Sequence, residues 1–151
     1  MPRKKRAEKT PTGARVLAVD DQPQVTELIT EICSERGFVV TPAHKPSEAM
    51  KALKSDEKFD LVILDYNLGR GKKNGLQMLE EIRKVNQEVP IVFLSGEGTI
   101  EIAVKAMKLG AIDFIEKDEM DIQMDLALDK VSKLLATLQE NRELKDENAK
   151  L

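Results

Sequence analysis

Residues 59–67, Phe-Asp-Leu-Val-Ile-Leu-Asp-Tyr-Asn, form an apolar run closed by a single carboxylate. Leu61, Val62, Ile63 and Leu64 are consecutive, the pattern of a parallel strand buried on both faces. Asp65 ends the run. In open α/β sheets the carboxyl ends of the strands form the edge where ligands bind. Taken alone, an Asp at this place is more often a turn residue that hydrogen-bonds nearby backbone. Its partners elsewhere in the chain reverse those odds.

Working outward, four more strands are expected. Arg15–Val19 ends in Asp20-Asp21, and Phe38–Val40 follows a helix that Gly37 stops. Pro90 opens Ile91–Leu94, which ends at Ser95, and Ile112–Ile115 leads into Glu116-Lys117. Helices alternate with them. The first starts near Pro23, with Val25, Leu28, Ile29, Ile32 and Cys33 at helical spacing. The second opens at Pro46-Ser47, with Ala49, Met50 and Leu53 inward. After the polar loop Leu68–Gly75 comes a helix carrying Leu76, Leu79, Ile82 and Val85. The fourth carries Ile102, Ala103, Ala106 and Met107 and ends at Gly110; the fifth begins near Met120 and runs toward the carboxyl terminus. Five strands alternating with five helices imply a parallel, doubly wound sheet of the α/β class, with helices on both faces.

Composition narrows the function classes. The 151 residues suffice for one domain with a sizeable core, and 41% hydrophobic with 34% charged residues suits a soluble globular unit. A net charge of -3 gives no overall pull toward nucleic acid, and without Trp and with one Tyr there is no aromatic platform for bases. Cys33 is the only cysteine, so no internal disulfide forms; it reads as a buried thiol in a reducing, cytoplasmic compartment. No apolar stretch approaches the ~20 residues needed to span a bilayer. Residues 1–14 are basic without a following apolar segment, which reads as a disordered tail rather than a secretory signal. A nucleic-acid arm is the minor alternative for that tail.

The chemistry lies at strand ends. Asp20-Asp21, Asp65, Ser95 and Lys117 close four strands, and a parallel sheet brings those ends to one edge. Clustered carboxylates repel each other unless a cation lies among them. Oxygen donors without His or Cys favour a hard ion, and Mg²⁺ commonly takes one or two carboxylates plus waters. Beside a lysine and a hydroxyl, such a metal suits phosphoryl chemistry with Asp65 as a covalent nucleophile.

Over Arg15 to Leu138 the chain resembles the receiver domain of two-component response regulators. Those receivers carry an acidic pair after strand one, a phosphoacceptor Asp after strand three, Thr or Ser after strand four and Lys after strand five. Asp20-Asp21, Asp65, Ser95 and Lys117 stand in that order, with intervals of 44 residues from Asp21 to Asp65, 30 to Ser95 and 22 to Lys117. Residues Gly96 to Phe114 look especially like receivers of enhancer-binding transcriptional activators of the nitrogen-regulation class.

The resemblance implies a flavodoxin-like sheet of order 2-1-3-4-5 and a phosphorylation-activated signalling switch rather than a multiple-turnover enzyme. Asp65 would accept a phosphoryl group from a sensor histidine kinase. Asp21, Asp65 and the backbone carbonyl of Asn67 would hold Mg²⁺, with Asp20 acting through a water. Ser95 and Lys117 would grip phosphoryl oxygens, and Ser95 with Phe114 would form the switch; Phe114 as plain strand core is the alternative. Asn67 and Glu97, two residues past Asp65 and Ser95, are candidates for tuning dephosphorylation.

Two departures stand out. Gly75 lies ten residues past Asp65 where eight is usual, so the loop is two residues longer, with Gly69 in the place of a common Pro and Arg70, Lys72 and Lys73 added. Lys117 is followed by Asp118 instead of Pro, and a trans bond is expected there because cis without proline costs ~3 kcal/mol. The only histidine, His44, is expected at the surface away from the catalytic edge, with no role.

Residues 139–151 read as a helical extension. Asn141, Leu144, Asn148 and Leu151 alternate by three and four, with Glu140 and Lys145 as a flanking pair, which suggests a two-stranded coiled coil and a homodimer. A solvated charged helix is the alternative. Activators of the resembling class continue into an ATPase and a DNA-binding module. Neither is found in these residues, so the chain reads as a fragment of a longer regulator or as a short regulator acting through its helix.

Two other functions compete. Small aspartyl-phosphate phosphatases also use a strand-end Asp, but with a second Asp two residues on, where this chain has Asn67. A flavin or nucleotide binder on the same fold would want glycines or hydroxyls after the first strand, where the chain reads Asp20-Asp21-Gln22-Pro23-Gln24.

Overall fold

A computed structural model describes residues 13–69, 71, 73–97 and 99–150, with side chains as far as Asn141. The elements in order are β1 (Arg15–Val19), α1 (Pro23–Ser34), β2 (Val39–Ala43), α2 (Pro46–Lys54), β3 (Leu61–Asp65), α3 (Gly75–Val85), β4 (Ile91–Ser95), α4 (Ile100–Lys108), β5 (Asp113–Glu116) and α5 (Met120–Lys150). A 3₁₀ turn, Lys117–Glu119, joins β5 to α5. The strands form one parallel sheet of order β2-β1-β3-β4-β5. This is the doubly wound architecture expected from the alternating pattern.

The continuous apolar character of β3 and β4 has a direct cause: both are buried throughout, between two layers of helices. On one face Ile29, Ile32 and Cys33 of α1 and Met124, Ala127, Leu128 and Val131 of α5 pack on Val16, Ala18, Ile63 and Leu94. On the other, Ala49 of α2, Met78, Leu79 and Ile82 of α3 and Ala106 of α4 cover Leu17, Leu64, Ile91 and Phe93. Each fully buried aliphatic side chain contributes about 1.5–3 kcal/mol, so the central strands hold the sheet edge rigid. Cys33 is the buried thiol expected.

Several boundaries and faces differ from the sequence reading. β2 starts at Val39 and runs to Ala43, because pairing with all five residues of β1 extends it past Val40. β5 starts at Asp113, leaving Ile112 as the preceding turn residue whose N–H donates to the Ile91 carbonyl. Leu28, Val85 and Met107, apolar residues at helical spacing, are exposed. Met78 takes the inner place on α3, since the helix starts at Gly75 and sets the phase of its faces. The Lys117–Asp118 bond is trans as expected.

His44 is not the surface residue away from the catalytic edge that the sequence suggests. It follows directly on β2 at the carboxyl edge of the sheet, half-buried, with Nε2 3.1 Å from the hydroxyl of buried Thr26. That hydroxyl already donates to the Pro23 carbonyl at 2.9 Å, so it accepts from the imidazole. The pair ties β2 to the first turn of α1.

α5 continues past the sheet. Its 31 residues span about 46 Å at 1.5 Å per residue. Arg36 after α1 pairs with Asp125 and Asp129 and pins the first half of the helix. From Ala136 to Asn141 every residue is exposed. Of the coiled-coil positions, Glu140 and Asn141 are exposed, while the side chains of Leu144, Lys145, Asn148 and Leu151 lie outside the described residues, as do positions 1–12. No helix among the described residues is long and apolar enough to cross a membrane.

Candidate functional site

The carboxyl edge gathers Asp20, Asp21, Asp65 and Lys117. Asp20 follows β1 and Asp65 closes β3; both are fully buried, whereas Asp21 beside them is exposed. One carboxylate oxygen of each of the three lies within 4.8 Å of the others. Lys117, just past β5, spans two strands to reach them: its Nζ is 2.9 Å from Asp20 Oδ2 and 3.1 Å from Asp65 Oδ2. Its stem passes Gly96, where a Cβ would lie 3.7 Å from Lys117 Cδ.

Local backbone contacts set each group. The Gln22 N–H donates to Asp20 Oδ1 at 2.9 Å and holds that carboxylate inward. Ser95, at the end of β4, is buried, and its hydroxyl accepts from the Glu97 N–H at 3.1 Å. The Asn67 side chain accepts from the Gly69 N–H at 3.1 Å, so it is turned into the loop. Glu97 and Asn67 are both exposed.

The electrostatics follow from burial. Loss of solvent pushes the Asp65 carboxyl up to about 7, and the neighbouring Asp20 charge adds to the rise, while Lys117 opposes it. Burial works against the Lys117 ammonium, yet its contacts with Asp20 and Asp65 outweigh that and raise its pKa. One cation therefore serves two buried carboxylates. Asp65 Oδ1 is buried with no hydrogen-bond partner, a costly state for a charged oxygen.

An unpartnered oxygen beside two further carboxylates, with no His or Cys among the three, is a donor set for a hard cation. The residues present fit Mg²⁺.

Sequence reasoning missed what anchors Asp65 from the far side. The Gly75 N–H donates to the Tyr66 carbonyl at 2.7 Å, and a Cβ at Gly75 would stand 2.4 Å from the Asp65 carbonyl oxygen and 2.7 Å from Tyr66 Cα. The amino end of α3 thus rests on the strand end with no room for a side chain. Asn74 and Gln77 close a capping box there, each side chain accepting the other's backbone N–H. The Asn-Gly-Leu-Gln string was the available signal. In the longer loop before Asn74, Gly69 and Gly71 take positive φ of 101° and 69°. Gly75→Ala is therefore expected to lower stability by about 1–3 kcal/mol through forced backbone shift, and to slow any reaction at Asp65. Thermal unfolding and the intact-mass assay below check both; a variant matching the parent in each would show that the junction yields freely.

Comparison with known proteins gives the context. A family model described as the response regulator receiver domain matches residues 16–129. A putative response regulator NtrX-like of Rickettsia bellii is 35% identical over 130 residues, covering 86% of this chain and 27% of that protein. The nitrogen assimilation regulatory protein NtrX of Azorhizobium caulinodans is 34% identical over 130 residues, covering 86% of the chain and 28% of the relative. The chain thus spans little more than a quarter of the length of these relatives. Among solved structures, the receiver domain of NtrX from Brucella abortus superposes with a TM-score of 0.72 at 36% identity, over 78% of this chain and 98% of that one.

Proposed function

The chain belongs to the response regulator receiver domain family, and from that membership we propose that it is a cytoplasmic phosphorylation-activated switch with Asp65 as phosphoacceptor. The donor is a phosphohistidine of a sensor histidine kinase. The observation that carries this reading is the Asp65 carboxylate itself: buried, gripped on Oδ2 by Lys117, and with Oδ1 unclaimed.

The transfer balances simply. An Asp65 oxygen forms a bond to phosphorus as the phosphorus–nitrogen bond of the phosphohistidine breaks, and the imidazole leaves with the bond pair. Lys117 shifts its ammonium charge to a phosphoryl oxygen as Asp65 loses its own charge to the new ester. Ser95 offers its hydroxyl to another. Asp20, Asp21, Asp65 and the Asn67 carbonyl would hold Mg²⁺, which supplies positive charge for the phosphoryl oxygens.

Incubation with acetyl phosphate and Mg²⁺, followed by intact-mass measurement, tests this. One phosphoryl adduct is expected; a protein that gains none has another function.

Asn67 and Glu97, two residues past Asp65 and Ser95, would orient water on the aspartyl phosphate, Asn67 once its amide releases the Gly69 N–H. Replacing both with apolar residues is expected to prolong the adduct several-fold in a decay time course, and an unchanged half-life would remove them from the reaction.

Residues 15–138 form the switch, and the extension from about Gln139 pairs two copies as a coiled coil, its helix leaning on the apolar residues Leu134, Leu135 and Leu138 that precede it. An isolated helix so short is marginal in water. Sedimentation equilibrium should give a lower mass for a chain ending at Thr137 than for the whole chain; equal masses would remove the extension from assembly. As in the nitrogen-regulation activators whose receivers the chain resembles, the output served is transcriptional.

A further inference from the structure

We infer that Phe93 is a positioning residue that ties the place of Phe114 on β5 to the junction of Asp65 with α3. The inference rests on the reading of Asp65 given above and concerns how its surroundings are set. Phe93 is fully buried in the middle of β4. Its ring stacks on Phe114 at 6.0 Å between centroids and 19° between planes. On its other side it meets Tyr66, the residue after Asp65, at 6.3 Å and 58°. The β4–β5 register sets Phe93 beside Phe114, which places the two rings side by side on one face of the sheet.

The ring also reaches the helix. A Cβ at Gly75 would come within 2.9 Å of Phe93 Cζ and 2.4 Å of the Asp65 carbonyl oxygen. One rigid side chain therefore fills the space from the outermost strand to the two residues that seat Asp65. Close-packed interiors leave no slack for a ring to move alone. Phe114 is half-buried, so its inward position is the one that bears on Phe93, and a displaced Phe93 presses on Tyr66 and on the start of α3. Ser95 lies two residues along the same strand, where its hydroxyl is engaged by the Glu97 N–H. The aromatic row is thus a separate line of contact between β5 and the Asp65 strand end.

If Phe93 only fills core, losing it lowers stability without making the metal site blind to Phe114. The chain supplies its own probe, because Tyr66 is the only tyrosine and there is no tryptophan. The full chain is titrated with Mg²⁺ alone, following tyrosine emission, with calorimetric midpoints taken in parallel so that the result does not depend on the size of the emission change. Phe114→Leu is expected to shift the midpoint by about threefold or more in the native background and by less than the error in a Phe93→Met background. Methionine keeps the volume near that of the ring, and thermal melts establish that each variant is folded; Phe93→Leu replaces it where it is not. Equal shifts in both backgrounds, or none in either, would overturn the coupling. The adduct on unaltered protein is scored separately, so a failed phosphoacceptor reading and a failed coupling give different results.

Discussion

Asp65→Asn is expected to gain no phosphoryl adduct from acetyl phosphate and Mg²⁺ under conditions in which the unaltered chain is labelled. The substitution keeps the shape of the side chain and its place at the end of β3, but an amide oxygen is a poor nucleophile toward phosphorus. Lys117 keeps a partner in the variant, since Asp20 Oδ2 stands 2.9 Å from its ammonium. The loss would therefore report the missing carboxylate and not a collapsed site. Full labelling of the variant would move the phosphoacceptor elsewhere.

The same variant should be more stable than the parent when both are metal-free. Burial raises the Asp65 carboxyl from 3.8 to about 7, so between these values the folded chain holds a proton that the unfolded chain has released. A folded value above the unfolded one means stability that is complete at low pH and is lost as pH rises through about 7. In chelator, the unfolding free energy of the unaltered chain should fall from about pH 4 to pH 7 by an amount on the order of a few kcal/mol, and its thermal midpoint should fall with it. Asp65→Asn removes the titrating group and should flatten that part of the profile. Parallel profiles for the two proteins would mean that the Asp65 carboxyl is ionised at little cost.

Asp21→Ala is expected to abolish Mg²⁺ binding, and with it phosphorylation, while leaving the fold intact. Asp21 is the exposed member of the carboxylate trio, so its side chain adds nothing to the core. Asp20 differs: it is fully buried, accepts from the Gln22 N–H and is ion-paired with Lys117, and its removal would disturb structure as well as charge. Calorimetric titration of Asp21→Ala with Mg²⁺, beside its thermal melt, separates the two effects. A variant that takes up Mg²⁺ like the parent would place the cation away from this trio.

Much of the architecture is legible in one dimension because its causes are local. A strand buried on both faces has to be apolar at every position, and Leu61–Leu64 and Ile91–Leu94 show it. Proline at the start of α1 and α2 and positive-φ glycine at Gly37 and Gly110 mark ends through the conformations of single residues. The polar groups Asp20, Asp21, Asp65, Ser95 and Lys117 were visible because each closes a strand, and a parallel sheet carries all such ends to one edge. Amphipathic faces were less secure. Leu28, Val85 and Met107 have helical spacing yet face solvent, since periodicity names a stripe while the angle at which a helix settles on the sheet decides which flank of the stripe is covered.

Only the folded chain could decide what lies between distant positions. Lys117 lies 52 residues from Asp65 in sequence, and the bridge it makes to both buried carboxylates depends on the sheet order and on side-chain reach. The rise of the Asp65 carboxyl comes from desolvation, a property of everything packed around it. The contact of Gly75 with the Asp65 carbonyl is made across a loop of unusual length, which residue counting from Asp65 does not reveal. The row Tyr66–Phe93–Phe114 joins residues from three parts of the chain that share no motif. Strand ends and turns are written in neighbouring residues, whereas burial, charge pairing and ring packing arise between segments that meet only when the sheet is assembled.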